Sequence, residues 1–262
     1  MSELVNGAEV IEAAIQDAQG PAICAYVTAG YPTLDAFPKV LKATCQSADV
    51  VEIGVPFTDP MADGLTIQQA SHVALENGVT LQWILDAVAA VISRETAPCL
   101  LMGYYNPFLA FGLEKLGSSL ANAGVSGLIV PDLPHDEAGE LLDAITPHGI
   151  ALVQLVTPTT SLSRLETLVS VSGGFVYAVT TTGVTGGDVE FPETTLDYLD
   201  RVREVSPIPV LAGFGIRTSA QVAALEAHVD GVVVGSALIE AIDAGVDPAE
   251  FIASLRMTEV PS

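Results

Sequence analysis

The chain of 262 residues carries 32 Asp and Glu against 9 Lys and Arg, a formal net charge of −23. A polyanion of this strength repels nucleic acid and anionic membrane surfaces, and no cluster of basic residues offsets it, so neither is an expected partner. Half of the residues are hydrophobic and mean hydropathy is +0.48, yet the apolar residues come in short runs, none reaching the ~18 that a membrane span needs.

The opening segment, Met1 to Gly7, has no basic stretch followed by an apolar one, so no secretory signal is expected and the chain reads as soluble and cytoplasmic. A helical pattern, Glu9 to Ala18, precedes the first β-type run, Ala22 to Thr28. Seven more runs follow: Val50 to Val55, Leu100 to Tyr104, Gly127 to Val130, Ile150 to Val156, Phe175 to Thr180, Ile208 to Leu211 and Gly231 to Val234. They are continuous rather than alternating, as expected for strands of a parallel sheet covered on both faces.

Helical patterns fill the gaps between these runs. Thr33 is placed to cap a helix with an apolar face of Phe37, Val40 and Leu41, and Ser161 precedes Leu162, Leu165 and Leu168. Ser219 precedes Val222 and Leu225. The longest gap, between the second and third runs, holds two helices, Thr66 to Glu76 and Thr80 to Arg94, with Asn77-Gly78 as a stop between them. Eight β/α units in this length predict a single closed (β/α)8 barrel over residues 1–262, with extra helices before strand one and between strands two and three. Cys24, Cys45 and Cys99, odd in number and set among apolar neighbours, are expected to be buried structural thiols.

A barrel of this kind places its active site at the C-terminal ends of the strands. The second run carries Glu52 inside an otherwise apolar stretch, where an ionised carboxylate without partners costs several kcal/mol. Glu52 is therefore paired with a neighbouring donor, protonated, or functional, and a raised pKa would suit it to acid/base work. The loop that follows, Pro56 to Gly64, holds Asp59 and Asp63. Either these bond local backbone as turn residues, or Asp63, eleven positions after Glu52, folds back so that two acids face one substrate.

Glycine-rich segments follow the last three strands: Thr182 to Gly187, Gly213-Phe214-Gly215, and Gly235-Ser236, the last opening a helix at Ala237 to Ala241. Exposed backbone N–H groups and a helix N-terminus bind phosphate without a cationic side chain, which suits a chain of such negative charge. Lys39, Lys42 and Lys115 all lie in helical segments, so no strand supplies a Schiff-base amine. His72, His135, His148 and His228 lack metal-pair spacing, and no metal is expected.

The stretch Val51-Glu52-Ile53-Gly54-Val55-Pro56-Phe57-Thr58-Asp59-Pro60-Met61-Ala62-Asp63-Gly64, followed by Thr66-Ile67-Gln68, resembles the signature of the tryptophan synthase alpha chain family. Tyr26 to Pro32, Met102 to Pro107, Pro131 to Pro134, Gly183 to Gly186 and Gly213 to Ile216 are similar to that family's other motifs, so the resemblance covers nearly the whole chain. It implies reversible retro-aldol cleavage of indole-3-glycerol phosphate to indole and glyceraldehyde 3-phosphate. By the same matching Glu52 is the acid/base, Asp63 binds the indole N–H, and Tyr177 lies beside the reacting hydroxyl. The resemblance makes Tyr26, Met102, Ile129 and Leu155 walls of an indole pocket, Gly186, Gly215 and Ser236 phosphate contacts, and Thr185 a loop threonine that bonds Asp63; Gly213 and Gly235, from the glycine-rich segments, join the expected substrate-binding positions.

The resemblance further implies a beta chain as partner, joined in an assembly of two alpha and two beta chains, with pyridoxal phosphate in the beta chain and no cofactor in this one. Two positions depart from the pattern: Leu65 stands where proline usually follows Asp-Gly, and Thr181 where many members carry arginine. Other readings are a silent phosphate-binding barrel acting as a regulatory subunit, or another sugar-phosphate enzyme on the same fold. The acidic composition also resembles that of halophile proteins, from a halophilic archaeon for example.

Overall fold

A computed structural model describes residues 5–61, 63–93, 95–180, 191–213 and 215–257. Eight parallel strands close into a barrel in sequence order. They are β1 (Ala22–Thr28), β2 (Val50–Gly54), β3 (Cys99–Met102), β4 (Val125–Ile129), β5 (Ala151–Val156), β6 (Val176–Val179), β7 (Val210–Gly213) and β8 (Gly231–Val234). The barrel closes by pairing β1 with β8, Ala22 opposite Gly231 and Ala25 opposite Val234.

Helices surround it: α1 (Gly7–Gln16) before β1, α2 (Phe37–Cys45) between β1 and β2, α3 (Leu65–Glu76) and α4 (Leu81–Ala89) between β2 and β3, and α5 (Tyr105–Phe111) and α6 (Leu113–Ala123) after β3. The remainder are α7 (Gly139–Ile145), α8 (Leu162–Val171), α9 (Glu193–Val205), α10 (Ser219–Leu225), and α11 (Ser236–Asp243) with α12 (Pro248–Arg256) after β8. Both expected extra helices, α1 and the α3–α4 pair, are present. The pairs after β3 and β8 go beyond the expectation. No helix among the described residues is long and apolar enough to cross a membrane.

Two apolar layers follow from the strand pleat, since successive side chains point to opposite faces. On β1 the residues Ile23, Ala25 and Val27 join the layer under the helices, whereas Cys24 and Tyr26 join the layer inside the barrel. On β2 the same alternation sends Val51 and Ile53 outward and Val50 inward, which aims Glu52 into the barrel. Helix starts obey local chemistry: Thr80 caps α4 by accepting from Trp83 N–H at 3.2 Å, and Ser161 caps α8 by accepting from Arg164 N–H at 3.4 Å.

Several expected boundaries move. Thr33 does not cap α2: its hydroxyl accepts from Ala36 N–H in the preceding turn, and Pro38 fixes the first helical turn instead. Ser219 is the first residue of α10 rather than its cap, because Thr218 and Gln221 form a reciprocal capping box. The first helix begins at Gly7, where Asn6 caps it, not at Glu9, and ends at Gln16. Helix α4 stops at Ala89, short of Arg94, which lies outside the described residues. Strands shift by up to two residues; the third spans Cys99 to Met102, so Tyr104 lies beyond its C-terminal end. The three cysteines are buried free thiols, as expected, with Cys45 and Cys99 sulfurs 3.6 Å apart.

Candidate active site

Glu52 sits midway along β2, opposite Tyr26 of β1 and Leu100 of β3, and is 1% exposed. Its Oε2 has no hydrogen-bond partner among the described residues. Burial, and secondarily the charge of Asp63, pushes its carboxyl up to about 8. No donor pairs this oxygen among the described residues, and the raised pKa favours the protonated acid at neutral pH.

Asp63 lies between β2 and α3 and faces the same interior. Its carbonyl oxygen accepts from Gln68 Nε2 at 2.8 Å, and its Oδ2 accepts from the Tyr104 hydroxyl at 3.4 Å. Burial raises its pKa, while the Tyr104 bond opposes the rise. The charge of Asp63 also acts on Tyr26 and Tyr177, whose phenols burial drives far up. Glu52, Asp63, Tyr26 and Tyr177 therefore form one electrostatically coupled group.

Glycines make room for the two phenols. A Cβ on Gly54 would lie 2.0 Å from the Tyr26 hydroxyl, and a Cβ on Gly213 2.3 Å from that of Tyr177. Only glycine at those strand ends allows the neighbouring ring to fill the barrel mouth. Tyr26, Met102, Ile129 and Tyr177 belong to the inner apolar layer, and Leu155 packs against it, so the expected pocket walls converge.

Gly215 adopts a φ of 79°, in the left-handed region, just after β7. Gly235 ends β8 and serves as N-cap of α11, leaving Ser236 as the first helical residue. A Cβ on Gly64 would stand 3.8 Å from Ser236 Oγ, so the start of α3 approaches the start of α11. The expected phosphate contacts at Gly213, Gly215, Gly235 and Ser236 thus occupy consecutive strand ends beside the second loop. Thr181, Thr185 and Gly186 lie outside the described residues.

Tyr104, to which sequence alone assigns no role, supports Asp63. Its ring stacks on Phe57, centroids 5.0 Å apart at 27°, while its hydroxyl holds Asp63. The available signal was a tyrosine just beyond the C-terminal end of a barrel strand. Leu65, in place of proline, is the first residue of α3 and is exposed. Proline suits that position because its missing N–H would have no helical partner, and leucine fills it without strain.

A family model described as the tryptophan synthase alpha chain matches residues 13–259. The tryptophan synthase alpha chain of Nitratidesulfovibrio vulgaris strain DP4 is 43% identical over 246 residues, covering 92% of this chain and 96% of that protein. That of Roseiflexus sp. strain RS-1 is 42% identical over 234 residues, covering 88% and 89%. Among solved structures, tryptophan synthase from M. tuberculosis in its aminoacrylate-bound form superposes with a TM-score of 0.85 at 34% identity, covering 96% of this chain and 98% of that one. A chain of the tryptophan synthase α2β2 complex of Pyrococcus furiosus gives 0.83 at 34% identity, covering 90% and 98%.

Proposed function

The chain belongs to the tryptophan synthase alpha chain family, a lyase family that cleaves indole-3-glycerol phosphate to indole and glyceraldehyde 3-phosphate, and on that premise we propose that Glu52, Asp63 and Tyr177 carry the reaction here. The observation that supports this assignment most is Glu52 itself: a buried carboxylic acid aimed into the barrel, with one oxygen unpartnered among the described residues.

The steps follow from its protonation state. Glu52, protonated at neutral pH, delivers its proton to indole C3, and the positive charge left on the ring nitrogen is balanced by the Asp63 carboxylate. The Glu52 carboxylate so formed takes the proton of the side-chain hydroxyl next to the ring. The carbon–carbon bond breaks, its electrons return to the ring, and indole and the aldehyde leave with Glu52 protonated again. Tyr177, wedged against Gly213, stands beside the reacting hydroxyl in this reading. Tyr26, Met102, Ile129 and Leu155 hold the indole.

The backbone around Gly213, Gly215, Gly235 and Ser236 holds the phosphate, with Gly186 as a further contact and Thr185 as the threonine that bonds Asp63 in this reading. This chain needs no cofactor and no metal in this reading: its lysines sit on the outer helices α2 and α6, and pyridoxal phosphate belongs to the beta chain. We place the enzyme in the cytoplasm, in an assembly of two alpha and two beta chains, with substrate rather than nucleic acid or membrane as its other partner.

Supplied with indole-3-glycerol phosphate, the purified chain should release indole, and Gly235→Val should raise KM about 10- to 100-fold, the loss expected when hydrogen bonds to a charged group are blocked. A chain that releases no indole with or without a beta chain would be the silent regulatory barrel instead.

A further inference from the structure

The carboxylate of Glu240, on α11, joins three segments that converge on the phosphate cradle. Its Oε1 accepts from the Thr66 hydroxyl at 3.1 Å and from Arg217 Nη1 at 3.4 Å, and its Oε2 accepts a short bond from Arg217 Nη2. Thr66 is the second residue of α3, three positions after Asp63 and two after Gly64. Arg217 is two positions after Gly215 and its N–H is fixed by Gln221 Oε1 at 2.8 Å. Each partner lies within a few residues of a group assigned to substrate, yet belongs to a different loop or helix.

The guanidinium meets both carboxylate oxygens, the fork geometry that fixes direction as well as distance. The pair raises the pKa of Arg217 and lowers that of Glu240, as mutual support requires. Side chains in the pair are 50% and 42% exposed, so the interaction is worth little to global stability. Its consequence is geometric: it sets where the start of α3, just after Asp63 and Gly64 in the chain, stands relative to the N-terminus of α11 and to Gly215.

We propose that Glu240 is a positioning residue, a clamp that uses Arg217 and Thr66 to hold the phosphate cradle in register with Asp63. The proposal rests on the phosphate reading above. It also gives Arg217, two positions after Gly215, its role: engaged by Glu240, it serves as a strut, with the backbone N–H groups left to bind the phosphate dianion.

The test measures kcat and KM for indole-3-glycerol phosphate, together with affinity for glyceraldehyde 3-phosphate and for indole alone, in Glu240→Ala, Arg217→Ala, Thr66→Val and Gly235→Val. Because the contacts at stake are exposed and hold the cradle without touching the ligand, Glu240→Ala should raise KM and weaken glyceraldehyde 3-phosphate about fivefold, with indole affinity and the melting temperature unchanged. Arg217→Ala and Thr66→Val should each give a smaller rise, since the first leaves the Thr66 bond in place and the second leaves both Arg217 bonds. The Glu240→Arg, Arg217→Glu double variant should recover part of the loss. Phosphate-ligand affinity within twofold of the parent in Glu240→Ala, with Gly235→Val impaired, overturns the clamp and leaves the cradle standing. Normal phosphate binding in Gly235→Val overturns the cradle, and the clamp with it. Equal losses for indole and for glyceraldehyde 3-phosphate in Glu240→Ala would show a general loosening of the fold and also overturn the clamp.

Discussion

Ionising Glu52 inside the barrel costs free energy that the unfolded chain does not incur. The unfolded group titrates near the ordinary value of 4.5, whereas the folded one titrates at about 8. Between these values the folded state holds a proton that the unfolded state has shed, so the contribution of Glu52 to stability falls as pH rises from about 4.5 to about 8 and is level outside that window. Glu52→Gln removes this dependence. It should stabilise the chain by on the order of a few kcal/mol at pH 8 and hardly at all at pH 4. Urea unfolding at both values checks the difference; equal effects at the two pH values would contradict it. Glu52 was legible in sequence because a carboxylate within a strand's apolar run is conspicuous. Tyr104 was not, because its importance comes from a stack on Phe57, 47 positions earlier, and a bond to Asp63, 41 positions earlier. Such contacts exist only once the barrel closes.

At the scale of elements, the loop after β2 connects the surface to the chemistry. Asp59 is exposed and accepts from the Thr58 hydroxyl at 2.6 Å, and Phe57, one residue earlier still, stacks on the tyrosine that holds Asp63. A beta chain docked on Pro56 to Asp59 would therefore press on Asp63 through Phe57 and Tyr104 as well as on Glu52 through the chain itself. Asp59→Ala should reduce beta-chain activation of indole release about fivefold, the lower end of usual couplings between sites, while leaving the isolated chain's rate unchanged. Full activation in that variant would remove this route. The strands were legible as continuous apolar runs, but their ends were displaced by a residue or two, because pairing with neighbours rather than composition decides where a ladder stops. The split of the β3–β4 connection into α5 and α6 was not foreseen; it turns on Gly112, at a φ of 103°. The start of α10 was misplaced because Thr218 and Ser219 are both good caps, and only Gln221 bonding back selects the first.

For the molecule as a whole, charge is the dominant property. Four of the arginines are paired, Arg164 with Asp136, Arg203 with Asp230, Arg217 with Glu240 and Arg256 with Asp49, which leaves most of the 32 acids without a cationic neighbour among the described residues. Their mutual repulsion opposes the compact state in dilute buffer. Screening weakens it as the Debye length falls from about 10 Å at 0.1 M salt to about 3 Å at 1 M. A halophilic origin follows as a proposal, and with it a melting temperature that rises by about 5 °C or more between 0.1 M and 2 M KCl. A flat or falling melting temperature would sink the halophile reading and leave the active site untouched. The barrel itself was legible because eight β/α units must bury both faces of their strands; the charge decides only the solvent in which that barrel is most stable.

The central claim is that one buried carboxyl moves both protons of the cleavage. Steady-state indole release by Glu52→Gln, in the presence of the beta chain, tests it most directly, since the amide keeps the side chain's shape and cannot deliver or accept the proton. Turnover should fall by roughly 10²- to 10⁴-fold, with glyceraldehyde 3-phosphate affinity unchanged. Turnover within a few-fold of the parent would assign the proton transfers to another group.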